Sequence, residues 1–174
     1  MKKISVIVML MGVLALSACK NPNRYGANGI GANGAGGMGG INSGALGDPS
    51  NPNSPAYFAQ TIGDKVHFVV DQSTLTPEAQ TILSNQAVWL TQHPAYTAII
   101  EGHADEQGTR EYNLALGARR ASAVQDYLIA KGVAGARLKT VSYGKERPIA
   151  VCSEESCFAQ NRRAVTVISA GAGA

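Results

Sequence analysis

Hydrophobic and polar positions divide the chain into three stretches with different rules. Residues 1–18, MKKISVIVMLMGVLALSA, set Lys2 and Lys3 ahead of an apolar run of about 14 residues. Residues 20–55 show no period and little apolar content. From residue 57 the pattern becomes that of a folded domain. KVHFVV (65–70) alternates Val66, Phe68 and Val70 with Lys65 and His67, which predicts a strand. TPEAQTILSNQAVWLTQHP predicts a helix: Thr76 caps it, Pro77 takes the first position, Glu78 the first turn, and Pro94 closes it. Its apolar stripe is Ala79, Leu83, Ala87 and Leu90. YTAIIEG (96–102) predicts a second strand, and Arg110 to Lys131 a second helix, with Thr109 as cap and Gly132 as stop. RLKTVSYG (137–144) and RRAVTVIS (162–169) predict two more strands around a loop. The order β-α-β-α-β-loop-β places the domain in the α/β class, a sheet with helices packed on it and two right-handed crossovers.

The first stretch has the charged start and apolar centre of a secretory signal and is too short to span a membrane comfortably. Its end, LSAC (Leu16 to Cys19), resembles the lipobox of bacterial lipoproteins. That resemblance implies cleavage before Cys19 and acylation of its thiol and new amino terminus. At ~0.8 kcal/mol per buried methylene, two or three chains hold a protein to a membrane without spanning it. Lys20 stands where an inner-membrane lipoprotein usually carries Asp, so the outer membrane is the expected destination. An ordinary cleavage site followed by a chance cysteine is the alternative.

Charge and composition then narrow the partners. Ten of the chain's 20 glycines and four of its seven prolines fall in residues 20–55, so 19–56 is expected to be a lipidated, flexible tether, roughly 30 Å across as a relaxed coil. The full chain is formally +3, but losing Lys2 and Lys3 with the signal leaves 13 basic residues against 12 acidic ones. Nucleic acid needs a concentrated basic face, and is not an expected partner. Of three cysteines, Cys152 and Cys157 remain after lipidation, a C-x4-C pair that reads as a disulfide in an oxidising compartment. Such a ring is expected to brace the start of the last strand without touching a ligand.

The candidate site lies in GHADEQGTREYNLALGARRASAV (102–124). A helix turns 100° per residue, so Asn113 and Arg120 point within ~20° of one another, with Leu116 and Gly117 between them. Glycine inside a helix costs about 1 kcal/mol against alanine, so Gly117 implies a close approach, either of a ligand or of a packed strand. Arg120 offers a planar fork of donors suited to a carboxylate, and Asp105 lies in the loop before the same helix. The pair fits a structural salt bridge or a site for a zwitterionic amino-acid head. Metal and hydrolase readings find little support: His103 and Asp105 lack a second ligand cluster, Glu101 and Glu106 are not placed as a glycosidase pair, and neither a Ser/His/Asp nor a Cys/His set is present. No cofactor is expected.

EGHADEQGTREYNLALGARRASAV, VSYGKERP and QNRRAV together resemble the peptidoglycan-associated lipoproteins, within the OmpA-like C-terminal domain family. The pattern N-x2-L-[SG]-x2-R-A-x2-V is met by Asn113, Leu116, Gly117, Arg120, Ala121 and Val124. The resemblance implies an OmpA-like domain over residues 57–174, an α+β sandwich with a mixed four-stranded sheet covered by helices. It implies a non-enzymatic protein that binds the diaminopimelate of the peptidoglycan stem peptide. Asp105 would take the ammonium and Arg120 a carboxylate, with Asn113, Leu116, Asp71, Phe68 and Arg162 around them and backbone amides of 68–71 in the lining. It further implies TolB and TolA as partners, an outer-membrane anchor with the domain in the periplasm, and a role in envelope integrity and division. A wall anchor without Tol partners and a peptidoglycan hydrolase are the alternatives.

Overall fold

A computed structural model describes residues 47–170. The expected signal peptide, Cys19 and most of the expected tether lie outside the described residues. The elements are α1 (Pro55–Tyr57), continued by a π-helical turn Phe58–Gly63, then β1 (Lys65–His67), α2 (Pro77–Gln92), β2 (Tyr96–His103), α3 (Arg110–Ala130), a 3-10 turn Gly135–Arg137, β3 (Leu138–Gly144), α4 (Glu155–Asn161) and β4 (Arg163–Ala170).

The sheet runs β1-β4-β2-β3. β4 lies antiparallel to both β1 and β2, while β3 is parallel to β2, so the sheet is mixed. β1 and β2 therefore run the same way with a gap between them, which the last strand fills. Each long helix is the crossover of a parallel strand pair, as the β-α-β-α-β order requires.

Thr76 and Thr109 cap α2 and α3 as expected, accepting from the amides of Ala79 and Tyr112 at 3.2 Å. The stripe Ala79, Leu83, Ala87 and Leu90 is buried against Val66, Ile100, Ala121, Val124 and Leu128. Fully burying a Leu, Ile or Val contributes ~1.5–3 kcal/mol each. Gln86, absent from that apolar pattern, is also fully buried. Its amide donates to Gly63 O at 2.7 Å and accepts from Thr166 Oγ1 at 2.9 Å, so the core holds a satisfied polar bridge between α2 and β4.

Three expectations need correction. The strand over 65–70 stops at His67 in the ladder: Val69 and Val70 are each 48% exposed, and Asp71 takes a left-handed φ of 57°. The apolar alternation continues there, but the chain turns, with Gln72 N donating to Val69 O at 3.2 Å. The loop before β4 contains α4, too short for its period to show. The domain also begins before residue 57. Ser54 and Ala56 are buried, Trp89 Nε1 donates to Pro52 O at 2.8 Å and Tyr96 Oη to Asn53 O at 3.1 Å, so the last residues of the expected tether are strapped to the end of α2.

Candidate functional site

The site grows from the end of β2. A register shift at Gly102/His103 loosens the ladder, and Ala104 N donates to Gly144 O at 2.8 Å. The chain then leaves the sheet as Asp105-Glu106-Gln107-Gly108. Gly108, at φ 87°, makes the left-handed turn that delivers Thr109 to its capping position. Asn113, 1% exposed, reaches back from the first turn of α3 and donates to Gln107 O at 2.6 Å. Lys145 donates to Gly108 O at 2.7 Å from the other side. The loop is thus held by side chains from α3 and the β3–α4 connection.

Between this loop, the turn at 70–71 and α3 lies a cavity of about 220 Å³. Asp71, Asp105, Asn113 and Leu116 line it, as expected, together with Val70, Tyr112, Gln107 and Gly108. Tyr112 Oη donates to Asp71 Oδ1, tying the turn to the helix across the mouth. Tyr112 adjoins Asn113 in the helical motif but lies off its inward stripe, so the spacing that flagged its neighbour did not flag it.

Arg120, Phe68 and Arg162 are behind the cavity wall. The Arg120 side chain is 0% exposed; Nε donates to Gln72 O at 2.8 Å, Nη1 to His103 O at 2.8 Å and Nη2 to Val69 O at 3.1 Å. Its guanidinium carbon lies 5.1 Å from the centre of the Phe68 ring. These bonds occupy three of its five N–H groups and pin both ends of the 69–72 turn to the end of β2. Burial draws its pKa down to about 10 against the opposing pull of Asp105 and Asp71, so it stays cationic at neutral pH beneath the cavity. The alternative of a structural salt bridge between Asp105 and Arg120 is therefore corrected. Arg120 is too deep and too engaged with carbonyls, and the partner of Asp105 is Arg162. The amide of Phe68 is also committed, donating to Arg162 O at 2.9 Å, which leaves Val70 and Asp71 as the segment's lining residues.

Arg162 Nη1 lies 3.2 Å from Asp105 Oδ2, with both side chains no more than 10% exposed. Burial alone would disfavour its charge, but Glu155 and Asp105 outweigh that and raise its pKa. Asn161 does the same service one residue earlier: Nδ2 donates to Glu106 Oε1 at 2.5 Å, and Oδ1 accepts from Ile149 N and Ala150 N at 2.9 and 3.2 Å. The QNRR segment is thus the clamp on the acidic loop. Asn161, Glu106 and Glu155 were not among the expected site residues, because their roles depend on α4 bringing residues 57 and 55 positions apart into contact.

The structure joins Cys152 to Cys157, Cα atoms 5.8 Å apart. The ring does more than brace β4, since Glu155 lies inside it and bonds Arg162, with one contact at 3.4 Å and a second, closer one through Nη2.

Gly117 serves packing: an added Cβ would meet Ser142 Oγ at 2.4 Å and Gly102 O at 2.8 Å, so the close approach is of a strand.

The OmpA family model matches residues 67–162, which span this site from the turn to Arg162. The peptidoglycan-associated lipoprotein of Mesorhizobium japonicum is 51% identical, with 97% of this chain and 93% of that protein covered. That of Pseudomonas aeruginosa is 43% identical over 92% of this chain and 93% of its own length. Among solved structures, the peptidoglycan-associated lipoprotein from Burkholderia pseudomallei superposes with a TM-score of 0.63 at 40% identity, covering 72% of this chain and 99% of that one. The C-terminal domain of Helicobacter pylori MotB, at 22% identity and a TM-score of 0.58 over 63% of this chain and 86% of its own, shares the fold. With its mixed sheet, its clamped acidic loop and relatives matched over nearly their whole length, the chain belongs to the peptidoglycan-associated lipoproteins of the OmpA family.

Proposed function

We propose that the protein binds peptidoglycan noncovalently through the diaminopimelate of the stem peptide and ties the outer membrane to the cell wall. The observation that carries this reading is Asp105, a braced carboxylate in the lining of a small cavity that has the Arg120 cation beneath it. Diaminopimelate ends in an ammonium and a carboxylate on one carbon. The ammonium is assigned to Asp105. The carboxylate is drawn to the charge of Arg120 and to the backbone of the 70–71 turn, while Leu116 and Val70 pack on the methylenes. The relatives' names, which couple lipoprotein and peptidoglycan, support the same assignment.

Polarity within the domain suits a linker. The strap at Pro52–Asn53 meets the start of β2 and the cavity opens beyond its end, so eight residues of strand, about 25 Å, separate the two. Acylated Cys19 would hold the outer membrane, with the domain in the periplasm and its cavity turned from the strap. The role proposed is mechanical: Asp105, braced by Arg162, holds a ligand charge in place. TolB and TolA complete the proposal as partners during division.

Cosedimentation of the purified lipoprotein with isolated sacculi tests the wall assignment, with free diaminopimelate-containing stem peptide as competitor. Retention that the peptide does not compete away would sink it. Release of soluble wall fragments in the same tubes would replace the linker with a hydrolase, and affinity capture of TolB from envelope extracts separates a Tol partner from a simple anchor.

A further inference from the structure

We infer that Glu155 is a positioning residue for the cavity: by sharing the Arg162 guanidinium it leaves Asp105 with negative charge to offer a ligand ammonium, and the Cys152–Cys157 bond keeps Glu155 in place. The inference rests on the reading of Asp105 as the ammonium site.

Charge accounting carries it. Arg162 sits between two carboxylates, Asp105 on the cavity side and Glu155 on the water side. One cation against two anions leaves the trio a net negative charge. Without Glu155 the remaining pair is neutral, and an arriving ammonium must compete with Arg162 for Asp105 on equal terms. Arg120 and Asp71 are present with or without Glu155 and do not alter the difference.

Placement of Glu155 depends on the ring. Residues 151–156 are all exposed, and Val151 is 86% exposed, so no burial of apolar surface orders this segment. Its restraints are the bonds from Asn161 to residues 149 and 150, the turn of α4 at Glu154, and the disulfide closed around Glu155. Opening a short ring restores conformational freedom to the loop, and a Glu155 carboxylate that samples solvent no longer offsets Arg162. Arg162 is buried while the Glu155 side chain is 66% exposed, so Glu155 can be changed without opening the core.

Calorimetric titration of the purified lipoprotein in detergent tests this. The ligands are a diaminopimelate-containing stem peptide and the same peptide acetylated on its side-chain amine. Glu155→Gln and the double variant Cys152→Ser/Cys157→Ser are expected to bind the amine-bearing peptide about fivefold more weakly than wild type at 0.03 M salt, the deficit shrinking in 0.5 M salt, where the Debye length is about fourfold shorter. Glu155→Asp should recover most of the affinity, and the acetylated peptide should not distinguish the variants. Unchanged affinity in Glu155→Gln, or an equal loss for both peptides, overturns the inference. A loss in Glu155→Gln that the cysteine variant lacks overturns its disulfide clause. Wild type that binds neither peptide removes the ammonium site itself, and this inference with it.

Discussion

Gly102 of β2 and Gly117 of α3 meet backbone against backbone: a Cβ on Gly102 would lie 1.9 Å from Gly117 O. This contact sets how closely the helix carrying Asn113 and Arg120 lies on the strand that ends at the acidic loop. Alanine at either position should push the two apart. We expect Gly117→Ala to destabilise by about 1–3 kcal/mol despite alanine's better helix propensity, since its Cβ meets a movable Ser142 hydroxyl as well as a carbonyl. Gly102→Ala meets only helix backbone and the Ala121 methyl and should cost more. Urea midpoints of the two variants check the order; a larger loss for Gly117→Ala would show that Ser142 and the Gly102 carbonyl yield less readily than the helix backbone.

Arg120→Ala removes a buried cation that serves three carbonyls, and the loss should appear as instability before it appears as weak binding. Leaving a buried acceptor without its donor costs about 1–3 kcal/mol, and Arg120→Ala strips the donor from three carbonyls. Arg120→Lys keeps the charge but cannot fork to Gln72, His103 and Val69, and should recover less than half of the loss. A variant at position 120 with wild-type denaturation behaviour would show that these carbonyl bonds do not hold the turn.

The elements with long periods were legible from the sequence: α2 and α3 with their threonine caps, and the apolar stripe of α2, follow from side-chain spacing alone. The spacing Asn113–Leu116–Gly117–Arg120 likewise marked an inward face. What it could not show is depth. A helix wheel places Arg120 toward the domain but not beneath three carbonyls, and so not out of reach of Asp105 as an ion partner. The Asp105–Arg162 pair joins residues 57 apart through α4, whose seven residues carry no readable period. Val69 and Val70 misled for a related reason, since β-branched residues on an exposed turn look like the continuation of a strand.

His103 should make the fold sensitive to mild acid. It is 2% exposed, neither ring nitrogen is hydrogen-bonded to the protein, and it stacks 5.5 Å from Tyr143. Burial, followed by the Arg163 and Arg147 charges, lowers its pKa from 6.5 to about 4; Glu101, 3.7 Å from Nε2, does not offset them. The unfolded chain therefore binds this proton more readily than the folded one. Stability attributable to the neutral ring is complete above pH 6.5 and is lost as pH falls toward 4, by about 3 kcal/mol in all. His67, lowered by burial and Arg163, acts in the same direction. Urea midpoints from pH 7 to 4.5 should fall less steeply for His103→Phe than for wild type. Parallel slopes would contradict the neutral assignment.

Cys19→Ala should abolish lipidation and leave an unlipidated precursor. Mass spectrometry of membrane-extracted protein decides it: the wild type should begin at an acylated Cys19, and an unmodified mature terminus would remove the anchor from this account.

Asp105 and the ligand's second functional group can be separated by one comparison. A stem peptide with lysine in place of diaminopimelate keeps the ammonium and lacks the adjoining carboxylate. Wild type should prefer the diaminopimelate peptide, by an amount that reports on the carboxylate alone. Asp105→Asn removes the partner of the ammonium, which both peptides carry, and should weaken both by about 2–5 kcal/mol, the range for a charge left without its partner in a desolvated contact. The preference between the peptides should survive that substitution, because the site proposed for the carboxylate is the Arg120 charge and the turn. Denaturation midpoints must be followed alongside, since Asp105→Asn also leaves Arg162 with Glu155 alone. Titration of both peptides against both proteins completes the square. If Asp105→Asn abolished the preference while still binding, the ammonium assignment would fail, and Asp105 would be placed at the other end of the ligand.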